Sequence, residues 1–263
     1  MYPFELVNPT SVADATAAIA KSGGKALAGG QSLIGAMKLR LAQPGTLVDL
    51  AGIADLKGIT QDGAGITIGA MATHAEVGDS EVVRRALPAL ASLAGGIGDR
   101  QVRNMGTLGG AIAHNDPAAC YPAAVLALNA TVRTNKRTIS GETFFTGMYE
   151  TALADGEIIT SVTFPIPKKA GYVKFPNPAS RFALVGVFVA QMSDGVRVAV
   201  TGAASCVFRS KALEAALSRS FTADAAKSAT IDASGLNGDL HASPAYRAHL
   251  IPVIAARAVA AAG

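Results

Sequence analysis

Two glycine-bearing stretches, Leu27 to Ile34 (LAGGQSLI) and Asn104 to Ala111 (NMGTLGGA), constrain this chain more than any other feature. Each holds two adjacent residues without a Cβ, so its backbone can approach a neighbour or a ligand more closely than other residues permit. Successive N–H groups in such a turn can receive an oxyanion. A lone Gly-Gly pair is more often a tight turn packed under a helix. Here the first pair is followed by Gln31-Ser32 and the second is preceded by Thr107, so hydroxyl and backbone donors stand beside both, as an oxygen-rich ligand such as a phosphate requires. Neither stretch spells G-x-G-x-x-G or G-x-x-x-x-G-K-S/T, so the usual dinucleotide and P-loop fingerprints are absent.

With 263 residues, 50% of them hydrophobic, the chain can bury a substantial core divided among two or three compact units. Apolar runs such as 183–190 are far shorter than a membrane span, and the Ala-rich end from Ile251 carries Arg257, as an amphipathic helix does. The opening Met1-Tyr2-Pro3-Phe4-Glu5 lacks the basic and apolar regions of a secretory signal. Two cysteines, Cys120 and Cys206, make neither a disulfide framework nor a four-thiolate iron–sulfur site. A cytoplasmic location is therefore expected. The charge of +4 is dispersed apart from Lys168-Lys169 and the group Arg133, Lys136 and Arg137, and with 5% aromatic residues and no tryptophan there are few stacking platforms. That argues against a reader of nucleic acid.

Along the chain, Ser11-Val12-Ala13-Asp14 resembles a capping box and predicts a helix over 11–21, stopped by Gly23-Gly24. A strand over 25–28, a helical turn over 33–40 and a buried strand over 47–50 complete a first βαβ-type lobe, residues 1–55. From Lys57 the pattern changes to short strands, with a hairpin about Asp62-Gly63 and another joining 131–134 to 137–139. Between them Thr73-His74-Ala75-Glu76 is a capping box, Ser80 caps a short helix, and 88–94 is buried. Asp116-Pro117 predicts the cap and first turn of a helix over 118–128, which places the second glycine stretch between a buried helix and a capped one. A strand over 158–164 ends the second lobe, 56–167, at Pro165 and Pro167. The last unit, 168–263, reads as an antiparallel pair, 182–191 and 196–201, with helices over 211–218 and 244–261 on one face.

Three segments carry a resemblance: LAGGQSLIGAMKLRLAQP (27–44), IGDRQVRNMGTLGGAIAHNDPAACYPA (97–123) and YRAHLIPVIAAR (246–257). They resemble the medium, FAD-binding subunit of molybdenum hydroxylases, the group of carbon monoxide dehydrogenase and related aldehyde, nicotine and xanthine dehydrogenases, collinearly over essentially the whole chain. The resemblance implies an α+β architecture: a two-lobed FAD-binding domain of the p-cresol methylhydroxylase type, then a C-terminal domain of a three-stranded antiparallel sheet with helices. It also implies a heterotrimer with an iron–sulfur small subunit carrying two 2Fe-2S clusters and a large subunit carrying molybdopterin. Electrons would pass from the clusters through FAD to an external acceptor such as NAD, a quinone or oxygen.

Position by position, the resemblance matches Leu27, Ala28, Gly29, Gly30, Gln31, Ser32, Leu33 and Ile34 to the loop around the pyrophosphate, with Ser32 and the amides of Gly29 to Leu33 as donors. Thr107, Leu108, Gly109, Gly110 and Ala111 match the loop on the other side of the diphosphate. Ile97 and Ile159 match apolar positions against the adenine half or the ring, Tyr172 an aromatic beside the flavin, and Lys174 a lysine near the isoalloxazine. Many relatives have Asn where Ala111 stands and a carboxylate where Cys120 stands. Asp116 is expected to supply that carboxylate from one helical turn earlier; weaker FAD binding or a shifted potential is the other outcome. With Gln31 in place of His or Cys, the first loop offers no covalent attachment, so FAD is expected to bind noncovalently.

His74, next to a helix cap, is expected at the surface; His114 stands at even odds of reaching the flavin, and His241 and His249 read as tail residues. No spacing among the four suggests a metal site. Cys120 is expected to fill space rather than react, and Asp99 to Arg103 to support backbone or contact a subunit. Flavin chemistry needs no protein nucleophile, so no general acid or base is assigned. A structural docking subunit with a decayed flavin site is the second reading, on the strength of Ala111 and Cys120. A freestanding oxidase would need a larger domain after Lys169 than this chain has.

Overall fold

A computed structural model of the protein describes every residue except Ala64 and Gly263. The first 55 residues form β1 (Glu5–Val7), α1 (Val12–Ser22), β2 (Lys25–Leu27), α2 (Leu33–Lys38) and β3 (Thr46–Asp49). The three strands pair in parallel in the order β1-β3-β2. Ser11 caps α1 by accepting from the Asp14 amide, and Gly23 ends it in the left-handed conformation. The Val48 side chain of β3 packs with Ala15, Leu50, Ile53 and Leu56 in a small core that Met71 and Ile158 complete.

The second region holds β4 (Ile59–Asp62), β5 (Gly65–Gly69), then helices α3 (His74–Asp79), α4 (Glu81–Ala86), α5 (Pro88–Gly95), α6 (Arg100–Met105), α7 (Leu108–His114) and α8 (Tyr121–Ala127). After these come β6 (Thr131–Thr134), β7 (Thr138–Ser140), α9 (Gly141–Phe144), the hairpin β8 (Phe145–Gly147) and β9 (Glu150–Thr151), and β10 (Ile159–Phe164). The five-stranded antiparallel sheet runs β4-β5-β10-β6-β7. Its last strand in sequence is therefore its middle strand in space. The capping box predicted at Thr73 is complete: Thr73 accepts from the Glu76 amide, and the Glu76 carboxylate accepts from the Thr73 amide at 2.7 Å.

Two expectations need correction here. The second glycine stretch is not a loop between helices, because Gly109 and Gly110 lie in the first turn of α7, capped by Thr107. The following helix starts at Tyr121, with Cys120 at its cap and Pro122 in its first turn. Asp116 instead closes a turn, its carboxylate accepting from the Ala118 amide at 2.8 Å. An Asx turn competes successfully with helix initiation at this residue type.

The C-terminal region forms β11 (Lys169–Pro176), β12 (Ala183–Met192), β13 (Gly195–Thr201) and a short β14 (Phe208–Arg209), antiparallel in that order, with α10 (Lys211–Arg219), α11 (Ala223–Lys227) and α12 (Pro244–Ala260). Three long strands stand as expected, and β14 adds a fourth. Both faces of this sheet are covered, not one. Val185, Val187 and Val189 of β12 pack with α10 and α12, while Phe188 and Ala190 join the core of the second region, where α5 and α8 lie against the sheet. That is why 183–190 reads as an unbroken apolar run: residues on both sides of the pleat are buried.

Arg247 of α12 fixes this helix to the sheet. It is 2% exposed, donates to the carbonyls of Leu184 at 2.6 Å and Gly202 at 2.8 Å, and pairs with Asp239 at 2.7 Å. Replacing it with methionine keeps the apolar stem and strands two carbonyls. Arg247→Met is expected to destabilise the protein by about 2–6 kcal/mol, at about 1–3 per unsatisfied buried acceptor, read as a lower urea midpoint at unchanged slope.

Candidate functional site

The first glycine stretch leaves β2 at Leu27, whose carbonyl accepts from Leu50, and runs to Ser32 at the start of α2. The carbonyls of Gly30 and Ser32 accept from Ile34 and Ala36. The amides of Gly29, Gly30, Gln31, Ser32 and Leu33, by contrast, meet no acceptor among the described residues. The Ser32 hydroxyl makes no cap hydrogen bond, and both Gln31 and Ser32 are exposed. A run of unpaired backbone donors with a free hydroxyl is a receptor for an oxyanion.

In the second stretch four amides in a row are committed. The Leu108 amide donates to Ala72 at 3.0 Å, Gly109 to Ala70 at 2.8 Å, Gly110 to the Thr107 hydroxyl at 3.1 Å and Ala111 to the Thr107 carbonyl at 3.0 Å. These glycines serve packing: a Cβ on Gly109 would stand 2.6 Å from that of Ala70. The two stretches meet directly, since a Cβ on Gly29 would overlap the Met105 carbonyl. The first stretch thus offers a run of free amides, whereas the second keeps only the Thr107 amide without an acceptor among the described residues and builds the wall against the first.

His74 lies beneath this wall. Its amide donates to the Gly106 carbonyl at 2.9 Å, and its ring stands 5.3 Å from that of Tyr121. It is buried, not at the surface as its sequence position suggested, because the α3 cap turns it inward under Gly106. Burial, and secondarily the Arg103 charge, push its pKa down to about 4. Arg103 in turn holds the bend before α6, donating to the carbonyls of Ile97 at 3.0 Å and Gly98 at 3.2 Å, while Asp99 caps α6 through the Val102 amide. The stretch 99–103 thus supports backbone, one of its two expected roles.

From the other side, Arg181 of the 177–182 loop reaches the Gly98 carbonyl at 3.4 Å, and Lys174 donates to the Arg181 carbonyl at 2.9 Å and to Cys120 Sγ at 3.5 Å. Ile97, Gly98, Cys120, Lys174 and Arg181 are therefore one connected group. Tyr172 is buried with its hydroxyl facing Cys120, and both burial and that neighbour raise its pKa well above the ordinary phenol range. Cys120 is buried, as expected. Ile159 is also buried, within the second-region core, and Ala111 packs half-buried against that core. His114 is exposed, its ring 5.0 Å from that of Tyr149. The Asp116 carboxylate accepts from the Ala118 amide, burial and secondly the Asp116 charge raise the pKa of the Tyr149 phenol, and no helix carries that carboxylate onto the face of Cys120. Among the described residues no cluster of His, Cys, Asp or Glu could hold a metal ion, and no helix is long and apolar enough to cross a membrane.

The segment leaving the second stretch is strapped to the C-terminal sheet. Thr201 donates its hydroxyl to the carbonyls of Pro117 and Ala119, and the Gly202 amide also donates to Pro117. Sequence reasoning missed Thr201 and Arg181, because each acts on backbone carbonyls and such pairings leave no spacing to read.

The depressed pKa of His74 has a sign. The unfolded chain, near 6.5, binds the proton that the folded chain refuses down to about 4, so stability is full above the unfolded value and falls as pH drops between them. Denaturant titrations are expected to show a loss of about 3 kcal/mol across that window, and His74→Gln is expected to remove this component.

Comparison with known proteins follows the same geometry. Residues 2–167 match the family model described as the FAD binding domain in molybdopterin dehydrogenase. The chain is 36% identical over 213 residues to the nicotine 6-hydroxylase medium subunit of Paenarthrobacter nicotinovorans, covering 75% of each chain. It is 33% identical over 184 residues to the carbon monoxide dehydrogenase medium chain of Hydrogenophaga pseudoflava, covering 65% of this chain and 64% of that one. Among solved structures it superposes with a TM-score of 0.88 at 35% identity on carbon monoxide dehydrogenase from Hydrogenophaga pseudoflava, covering 99% and 98% of the two chains. With quinoline 2-oxidoreductase from Pseudomonas putida 86 the values are 0.89 and 28%, covering 98% and 96%. A family match over both lobes that build the loop pair, and a fold shared over almost its full length, show that this chain belongs to the FAD-binding medium subunits of the molybdenum hydroxylases.

Proposed function

We propose that the chain binds FAD noncovalently and relays electrons within a cytoplasmic heterotrimer, from the 2Fe-2S clusters of a small subunit, reduced in turn by a molybdopterin-bearing large subunit, to an external acceptor such as NAD, a quinone or oxygen. The unpaired amides of Gly29 to Leu33 carry this reading, beside the free Ser32 hydroxyl and against the Thr107 wall. They fit a diphosphate. In this assignment the first loop holds the pyrophosphate, Thr107 to Ala111 closes its other side, Ile97 and Ile159 shape the apolar part, and Tyr172 and Lys174 stand toward the ring. Bound FAD supplies the two-electron redox chemistry; the protein positions it and sets its surroundings. The division into units 1–55, 56–167 and 168–263 is part of the proposal, the first two binding the cofactor between them.

The substrate is chosen on the molybdenum chain, so carbon monoxide, aldehydes, purines and N-heterocycles are its candidate classes. A second reading, a docking subunit with a weakened flavin site, draws on Ala111 and Cys120, where polar side chains are missing. The visible spectrum of the co-expressed complex separates the two: flavin bands that yield FAD on heating support electron transfer, and a colourless complex in excess FAD supports docking only. Gly29→Ala forces the Met105 carbonyl away and parts the loops. That variant is expected to lose FAD by at least tenfold in affinity, an effect of about 1.4 kcal/mol, while still assembling with its partners.

A further inference from the structure

Cys120, Tyr172 and Lys174 form a polar group inside an otherwise apolar wall. Among the described residues the Cys120 sulfur is the one side-chain acceptor of the Lys174 ammonium, and the other acceptor is the Arg181 backbone carbonyl. The Tyr172 hydroxyl, buried with its residue 8% exposed, faces the same sulfur and makes no hydrogen bond among the described residues. Close packing keeps it there, because a Cβ on Gly186 would stand 2.8 Å from the hydroxyl. Cys120 itself stands at the start of α8, without a side-chain capping bond, and follows the Pro117–Ala119 segment that the C-terminal sheet grips, so its backbone is held from both sides. A flexible lysine, half-buried, is thus held between a rigid thiol and one carbonyl.

We propose that Cys120 is a positioning residue for Lys174: through its sulfur, backed by the Tyr172 hydroxyl, it holds the ammonium at the redox end of the flavin site and so raises the potential of the bound cofactor. The inference rests on the placement of FAD given under Proposed function. Two-electron reduction of FAD with uptake of one proton leaves the cofactor with an added negative charge, the electrons coming from the partner clusters and the proton from solvent. A cation fixed nearby favours that reduced form, and more strongly in a partly buried site than in water. A lysine without its anchor spreads its charge over many rotamers, most of them solvated.

The test is the flavin midpoint potential, by spectroelectrochemistry of the co-expressed complex, with FAD content and thermal unfolding measured alongside. Cys120→Ala is expected to lower the potential by about 30 mV, a tenfold shift in the reduced-to-oxidised ratio for a two-electron couple. Cys120→Ser, which keeps a polar partner for the ammonium in nearly the same volume, is expected to restore at least half of the difference. Lys174→Met is expected to lower the potential as far as Cys120→Ala or further, and adding Cys120→Ala to it should change nothing more. An unchanged potential in Cys120→Ala with flavin bound overturns the inference, as does an equal drop when Cys120→Ala is added to Lys174→Met. A wild-type complex that binds no FAD overturns the flavin assignment itself, and that result is distinct from a bound flavin whose potential ignores position 120.

Discussion

The close approach of two backbones, Gly29 against Met105 and Gly106, is the contact on which this molecule depends. It joins the parallel three-stranded lobe to the antiparallel five-stranded one at the point where the first lobe leaves a run of amides unpaired. Unpaired donors are tolerable only where water or a ligand reaches them, which keeps this seam open while the surrounding helices close. Below the seam the chain accepts no compromise: the Leu108 and Gly109 amides are tied to the end of β5, and His74 is buried in neutral form beneath Gly106. One side of the site is fixed by its own hydrogen bonds and the other is left with donors to offer.

The C-terminal sheet supplies the third wall by being buried on both faces. Alternate residues of β12 belong to different cores, so the strand is an internal partition and not an outer layer. Fully burying a side chain such as Phe188 contributes about 1.5–3 kcal/mol, and its contact side is the helical layer of the second region. The grip of Thr201 and Gly202 on Pro117 and Ala119 runs along the same boundary, so apolar packing and hydrogen bonds fix the two units in one register.

Much of this was legible in the sequence, for identifiable reasons. The capping box at Thr73, the Ser11 and Ser80 caps and the Gly23 stop are local rules, and the helices follow them. The hairpins were legible from turn chemistry. What failed was non-local: Asp116-Pro117 looked like a helix start, yet the Asx turn prevailed where the next three residues are held by the C-terminal sheet. His74 looked exposed because its neighbours Thr73 and Glu76 are polar, whereas its burial is set by Gly106, more than thirty residues on. In the candidate site the residue types of both glycine stretches were readable. Which of their amides would be spent internally was not, since the acceptors Ala70 and Ala72 carry no side-chain signal.

The strap across Pro117–Ala119 bears on how the protein is made. Synthesis runs from the N-terminus, yet the residues that secure the exit of the second glycine stretch are Ala183, Thr201 and Gly202. The central strand of the middle sheet, β10, also emerges after four of the strands it must join. The Pro117–Ala119 segment is therefore made long before the residues that hold it, the last of which, Gly202, follows only when more than three-quarters of the polypeptide has been made. The closing of this boundary is thereby set late in the life of the growing chain, by topology alone.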